Sequence, residues 1–122
     1  MILADTSVWV DHLRVGDGGL AALLDHGGIA MHPFVIGELA LGNLRQRRQI
    51  LSLLQGLPGV VMARDEEVLA FIDGAGLAGQ GIGYIDCHLL ASARLTPDTR
   101  LWTRDRRLAR VAQDLGLGAD PA

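Results

Sequence analysis

The chain has 122 residues, enough for one domain with a genuine core, expected to span residues 1–122. Its 49% hydrophobic content excludes a disordered chain, and a formal net charge of −3 excludes a global cationic field for nucleic acid. All eleven basic residues are arginines, so P-loop phosphate binding, Schiff-base catalysis and kinase-type phosphate anchoring, which need lysine, are excluded too.

Residues 1–4 form an apolar run too short for a helix, which suits a buried central strand. Thr6 or Ser7 can cap a helix covering Val8, Trp9, Val10, His12 and Leu13, and the glycines from Gly16 break it. A second helix carries Leu20, Leu23 and Leu24 and ends at Gly27-Gly28, before a second strand at residues 29–31. Pro33 suits the first turn of a helix that runs to about Leu44. The next helix presents Ile50, Leu51, Leu53 and Leu54, and Pro58-Gly59 leads into a third strand at residues 60–62. Asp65, Glu66 and Glu67 put negative charge at the positive end of the following helix. Glycines between Gly74 and Gly83 form a connector whose spacing does not match a dinucleotide loop. A helix at residues 84–95, a fourth strand at 100–103 and a helix carrying Leu108, Val111, Ala112 and Leu115 complete the chain, with a tail after Gly116 that adds an edge strand or frays. Alternating strands and helices predict an α/β fold with a short, mostly parallel sheet of four or five strands between helical layers.

The single cysteine, Cys87, cannot form an intrachain disulfide and reads as a small buried hydrophobe. No run approaches the ~20 apolar residues of a membrane span, and no basic stretch marks a signal peptide, so a cytoplasmic location is expected.

Four acids carry the chemistry. Glu38 is the sole ionisable residue between Pro33 and Leu44, and no arginine stands at helical spacing to neutralise it. Asp5 and Asp105 each follow a strand, at the edge of a parallel sheet where ligand crevices form. Asp86 opens a helix able to pack beside that edge. Each has a local alternative: Asp5 as a turn or cap, Glu38 in water, Asp86 on the helix dipole, Asp105 as a cap. Together, three or four convergent carboxylates require protons or a cation, and oxygen ligands select Mg²⁺ or Mn²⁺. Such clusters mostly serve phosphoryl chemistry, and Arg104, Arg106 and Arg107, with Arg45, Arg47 and Arg48, are candidates for flanking phosphates or ordinary solvated surface. The four histidines fall into no metal-ligand spacing.

Asp5-Thr6-Ser7, Glu38 on an apolar helix, Tyr84-Ile85-Asp86 and Thr103-Arg104-Asp105-Arg106-Arg107-Leu108, in this order over essentially the whole chain, resemble the PIN domain and most closely its VapC-type ribonuclease toxins. The resemblance implies an α/β/α sandwich, endonucleolytic RNA cleavage with Mg²⁺ or Mn²⁺, a homodimer and a cognate VapB-like antitoxin. It makes Asp5, Glu38, Asp86 and Asp105 the catalytic metal-binding acids and Ser7 and Thr103 the hydroxyls that hold the site by hydrogen bonds. Trp9, Leu13, Ile50 and Leu54 are candidate groove or interface positions. Arg106 and Arg107 stand where relatives often carry another acid, leaving open whether Asp105 binds metal directly or only orients water. Two other classes remain: a PIN-like module that binds without cutting, and an acid-pocket phosphatase or receiver domain. The phosphatase wants an aspartate at Ser7 and the receiver domain wants a lysine.

Overall fold

The computed structural model describes residues 1–119. Strand β1 (Ile2–Ala4) is central, paired in parallel with β2 (Ile29–Ala30) on one side and β3 (Arg100–Trp102) on the other. Consecutive strand residues face opposite sides of a sheet, yet Leu3 and Ala4 are both fully buried. Both faces of β1 are therefore covered, which is why this strand reads as an unbroken apolar run.

Among the described residues the cover consists of seven helices: α1 (Thr6–Val15), α2 (Gly18–Asp25), α3 (Pro33–Ala40), α4 (Arg47–Gln55), α5 (Asp65–Gly74), α6 (Tyr84–Leu95) and α7 (Arg106–Asp114). Helix α6 is the most enclosed, with every residue from Cys87 to Ala93 buried. Seven consecutive buried residues cover every side of a helix, so its middle is packed within the core rather than against solvent. The N-termini of α1 and α7 follow directly on the C-terminal ends of β1 and β3, so both helices begin at the same edge of the sheet.

The α/β fold and its parallel sheet match the expectation, but the strand count is lower. Residues 60–62 do not form a strand. Met31 and Gly59 make a single parallel bridge and Val60 N–H donates to Met31 O at 3.0 Å, after which the ladder ends. Val61 N–H turns instead to Thr96 Oγ1 at 2.8 Å, and Ala63 N–H to Ser92 Oγ at 3.3 Å. Hydroxyls on α6 and at its C-cap thus fasten this extended segment to the helix on the side away from Met31. On the opposite edge the tail adds one parallel bridge, Leu101 to Gly118, with Leu101 N–H donating to Leu117 O at 2.7 Å. The expected tail beyond residue 119 lies outside the described residues.

Two helix ends also differ from expectation. Asp5, rather than Thr6 or Ser7, caps α1, its Oδ1 accepting from Ser7 N–H at 3.0 Å and Val8 N–H at 3.4 Å. Helix α3 stops at Ala40 rather than Leu44, and Arg47 reaches back to carbonyls at and just beyond its end. The guanidinium donates to Ala40 O at 2.5 Å and Gly42 O at 3.3 Å, satisfying acceptors that helix continuation would have used.

Candidate active site

The C-terminal edge of β1 and β3 carries Asp5, Ser7, Thr103 and Asp105, while Glu38 and Asp86 come from α3 and α6. Asp5, the first residue after β1, is buried with 6% of its surface exposed. Four donors stabilise its charge. Oδ1 accepts from Ser7 Oγ at 2.5 Å as well as from the two α1 amides, and Oδ2 accepts from Thr103 Oγ1 at 2.5 Å. Such charge-assisted bonds are what make an ionised carboxylate tolerable at this depth.

Thr103 and Asp105 lie in the short turn between β3 and α7. Asp105 N–H donates to Thr103 Oγ1 at 3.0 Å, and Asp105 Oδ1 caps α7, accepting from Arg107 N–H at 2.9 Å and Leu108 N–H at 3.1 Å. Asp86 lies in the first turn of α6 and accepts through Oδ2 from Gly83 N–H at 3.0 Å. Glu38, on α3, is exposed, and its Oε1 accepts from Thr6 Oγ1 at 2.6 Å. Its exposure is that of the water-facing alternative rather than of a carboxylate enclosed by apolar neighbours. Its partner is a hydroxyl from α1, 32 positions away, which helical spacing within α3 cannot reveal.

Asp86 registers the other three acids. Its carboxyl is held above the usual carboxylate range, first by burial, against the lowering effect of the Gly83 hydrogen bond, and then by the charges of Asp5, Asp105 and Glu38. None of the four has an ion-pair partner among the described residues. No hydrogen bond among those residues reaches Glu38 Oε2, Asp86 Oδ1 or Asp105 Oδ2. Unbalanced negative charge and unused carboxylate oxygens are the donor chemistry that a hard divalent cation requires. No three His, Cys, Asp or Glu side chains among the described residues are drawn together closely enough to enclose an ion. The acids share one electrostatic field without forming a closed ligand shell.

A family model described as the PIN domain matches residues 2–114. The chain belongs to the PIN-domain family. It is 44% identical over 117 residues to Ribonuclease VapC32 of Mycobacterium tuberculosis, in both strain CDC 1551 / Oshkosh and strain ATCC 25618 / H37Rv. The alignment covers 96% of this chain and 94% of each relative, so this PIN domain is of the VapC type.

Within the PIN domain, the arginines of the last motif separate into two groups. Arg104 is committed: its Nε lies 2.7 Å from Asp11 Oδ2 and its Nη2 pairs with Asp17 Oδ2. Arg106 and Arg107 are exposed, and neither has an ion pair among the described residues. Arg107 lies across Gly81, whose φ is +81° and whose missing side chain leaves room: a Cβ there would stand 2.9 Å from Arg107 Cδ. The connector before Asp86 is thus shaped to receive the α7 arginine.

Residues set aside in the sequence stay outside the site chemistry. Cys87 is buried, and burial followed by the charge of Asp86 raises its thiol pKa, which disfavours the nucleophilic thiolate. His88 is buried between the rings of Phe34 and Tyr84, at centroid distances of 4.9 and 4.7 Å, with Nε2 3.2 Å from Asp65 Oδ1. Of the candidate interface positions, Trp9 and Leu54 are core residues. Leu13 and Ile50 line an open groove of about 440 Å³ that runs past Glu38, with Arg14 and Arg45 also on its wall. Among the described residues no helix is long and apolar enough to cross a membrane.

Proposed function

We propose that this PIN domain is a divalent-metal-dependent endoribonuclease, the toxin of a VapBC-like toxin–antitoxin pair. The observation that carries the reading is the shared field at Asp86: a half-buried carboxyl facing Asp5, Asp105 and Glu38, with no guanidinium paired to any of them among the described residues. The name of the VapC32 relatives supports RNA as the substrate class.

In this reading Asp5, Glu38, Asp86 and Asp105 hold Mg²⁺ or Mn²⁺. When bound, the cation polarises the phosphodiester and offsets charge developing in the in-line displacement. The chain's own groups prepare for that chemistry. Asp5 is locked by Ser7, Thr103 and the first amides of α1, so it offers a fixed anchor. Exposed Glu38, steered by Thr6, orients the attacking water and accepts its proton, a role shared with Asp105. Asp86 works ionised, and in the metal-free chain burial and the neighbouring acids oppose that ionisation, which a bound cation would favour. Arg106 and Arg107 bind backbone phosphates on either side of the scissile bond. Water attack on phosphorus with loss of the 3′ oxygen leaves 5′-phosphate and 3′-hydroxyl ends. A homodimer in the cytoplasm, silenced by an antitoxin that seats an apolar segment in the groove beside Glu38, completes the proposal.

The second reading, a PIN domain that binds RNA without cutting it, is favoured by the open arrangement of the acids. One assay separates them. Protein purified free of antitoxin is incubated with RNA and Mg²⁺ as wild type and as Asp5→Asn. The nuclease reading expects cleavage to fall at least 100-fold in the variant, and equal cleavage by both overturns it. Retention of uncut RNA by the wild type supports the binding module.

A further inference from the structure

Arg104 belongs to a basic stretch and stands between Thr103 and Asp105, yet its guanidinium, though exposed, is engaged by two carboxylates. It pairs with Asp11 at 2.7 Å and with Asp17, and its Cζ lies 5.8 Å from the centroid of the Trp102 ring. The two acids belong to different elements. Asp11 is on α1, whereas Asp17 caps α2, accepting from Leu20 N–H at 2.9 Å. Asp17 is itself held from behind, its N–H donating to His12 Nδ1 at 3.0 Å. One guanidinium therefore fastens the turn after β3 to the junction of α1 and α2. Two carboxylates against one cation leave no positive charge over for RNA.

The backbone of the same residue points the other way. Arg104 N–H donates to Ser7 Oγ at 3.0 Å, and Ser7 Oγ donates to Asp5 Oδ1 at 2.5 Å. Thr103, on one side, donates to Asp5 Oδ2, and Asp105, on the other, caps α7. We propose that Arg104 is a positioning residue: its double ion pair with Asp11 and Asp17 holds the 103–105 turn in the register that aligns Ser7, Thr103 and Asp105 on Asp5. It makes no contact with RNA. Asp11 and Asp17 thereby become part of the support for the site, far in sequence from the residues they steady. The geometry requires a guanidinium, because a lysine ammonium is a single point charge and cannot present two separated donors to two carboxylates in fixed directions.

This inference gives the nuclease reading its alignment device and rests on it for its functional consequence, but the clamp itself can be measured without RNA or metal. Backbone amide hydrogen exchange is followed by NMR in the metal-free full chain. The variants are Arg104→Ala, Arg104→Lys and the double variant Asp11→Asn/Asp17→Asn, in which asparagine keeps the α2 cap. The expected result is that the Arg104 and Asp105 amides exchange at least tenfold faster in Arg104→Ala and in the double variant. Arg104→Lys lies between, and α6 amides are unchanged in the double variant. Wild-type protection in the double variant overturns the clamp.

A second arm uses a single-stranded RNA that the wild type cleaves with Mg²⁺. The expected result is that Arg104→Ala and the double variant both lower kcat by about 10- to 100-fold, the range for groups that orient metal ligands, with KM within twofold of wild type. A raised KM with unchanged kcat in Arg104→Ala, alongside a fully active double variant, identifies an RNA contact and overturns the proposal. Should wild type and Asp5→Asn cleave equally, the nuclease reading fails on its own, and the exchange arm still decides the clamp.

Discussion

Thr103→Val isolates the hydrogen bonding that steadies Asp5. The substitution keeps the branched shape but removes a hydroxyl that acts twice, donating to Asp5 Oδ2 at 2.5 Å and accepting from Asp105 N–H at 3.0 Å. The first bond reaches an anion whose residue is 94% hidden from solvent, so the lost donor cannot be replaced freely by water. Breaking a bond to a charged buried partner costs about 1.5–3 kcal/mol. The second bond costs less, about 0.5–1 kcal/mol, because Asp105 is exposed and its amide regains water. The sum predicts a loss of about 2–4 kcal/mol for the metal-free chain, or roughly 10 °C in melting midpoint for a domain of this size. Urea unfolding at neutral pH measures it. Thr103→Ser, which keeps both bonds and loses one methyl, should cost about 1 kcal/mol or less. A valine variant within 0.5 kcal/mol of wild type, or a serine variant as damaged as valine, would refute the reasoning.

A pH signature follows from His32, whose ring is fully buried as the cap of α3, Nδ1 accepting from Phe34 N–H at 2.9 Å. Burial, and then the neighbouring His88, lower its pKa from 6.5 to about 4. The unfolded chain therefore binds the extra proton first. The stability contributed by neutral His32 is complete above pH 6.5 and drains away as pH falls toward 4, by about 2 kcal/mol between pH 7 and pH 5. Urea unfolding at the two pH values should show that slope in wild type and lose it in His32→Asn, which keeps a capping oxygen without titrating. An unchanged slope contradicts the assignment. For RNA binding, Arg107→Ala should lower the dependence of log affinity on log salt by about 0.7, one phosphate contact to a single strand, while Arg104→Ala leaves it unchanged. Filter binding in the Asp5→Asn background reads both, and the reverse pattern contradicts the division of the arginines.

What the sequence makes legible here is local. The apolar β1 run, the Pro33 start of α3 and the acidic opening of α5 depend on neighbours within a few positions, and each stands where expected. The four acids could be singled out because each interrupts an apolar or turn pattern. Long-range partners were not legible. The segment expected as a strand at residues 60–62 keeps one bridge to the sheet, and residues 61 and 63 bond instead to Thr96 and Ser92, 35 and 29 positions away, partners that no window around Val60 contains. Thr6 as the partner of Glu38, and Asp11 and Asp17 as partners of Arg104, are of the same kind: ordinary helix residues until the fold brings them across. Arg104 also shows why a run of like charges misleads. In sequence, Arg104, Arg106 and Arg107 are one basic patch, but the residue before the Asp105 cap faces α1 and α2, while those after it ride on α7.

The central claim is that Asp5, Glu38, Asp86 and Asp105 act together on one hard cation. Calorimetric titration of the purified chain with Mn²⁺ tests it most directly, in wild type and in Asp5→Asn and Asp86→Asn. Saturable binding in wild type, lost or weakened at least tenfold in each variant, is the predicted result. No binding by the wild type, or equal binding by all three, would contradict the account.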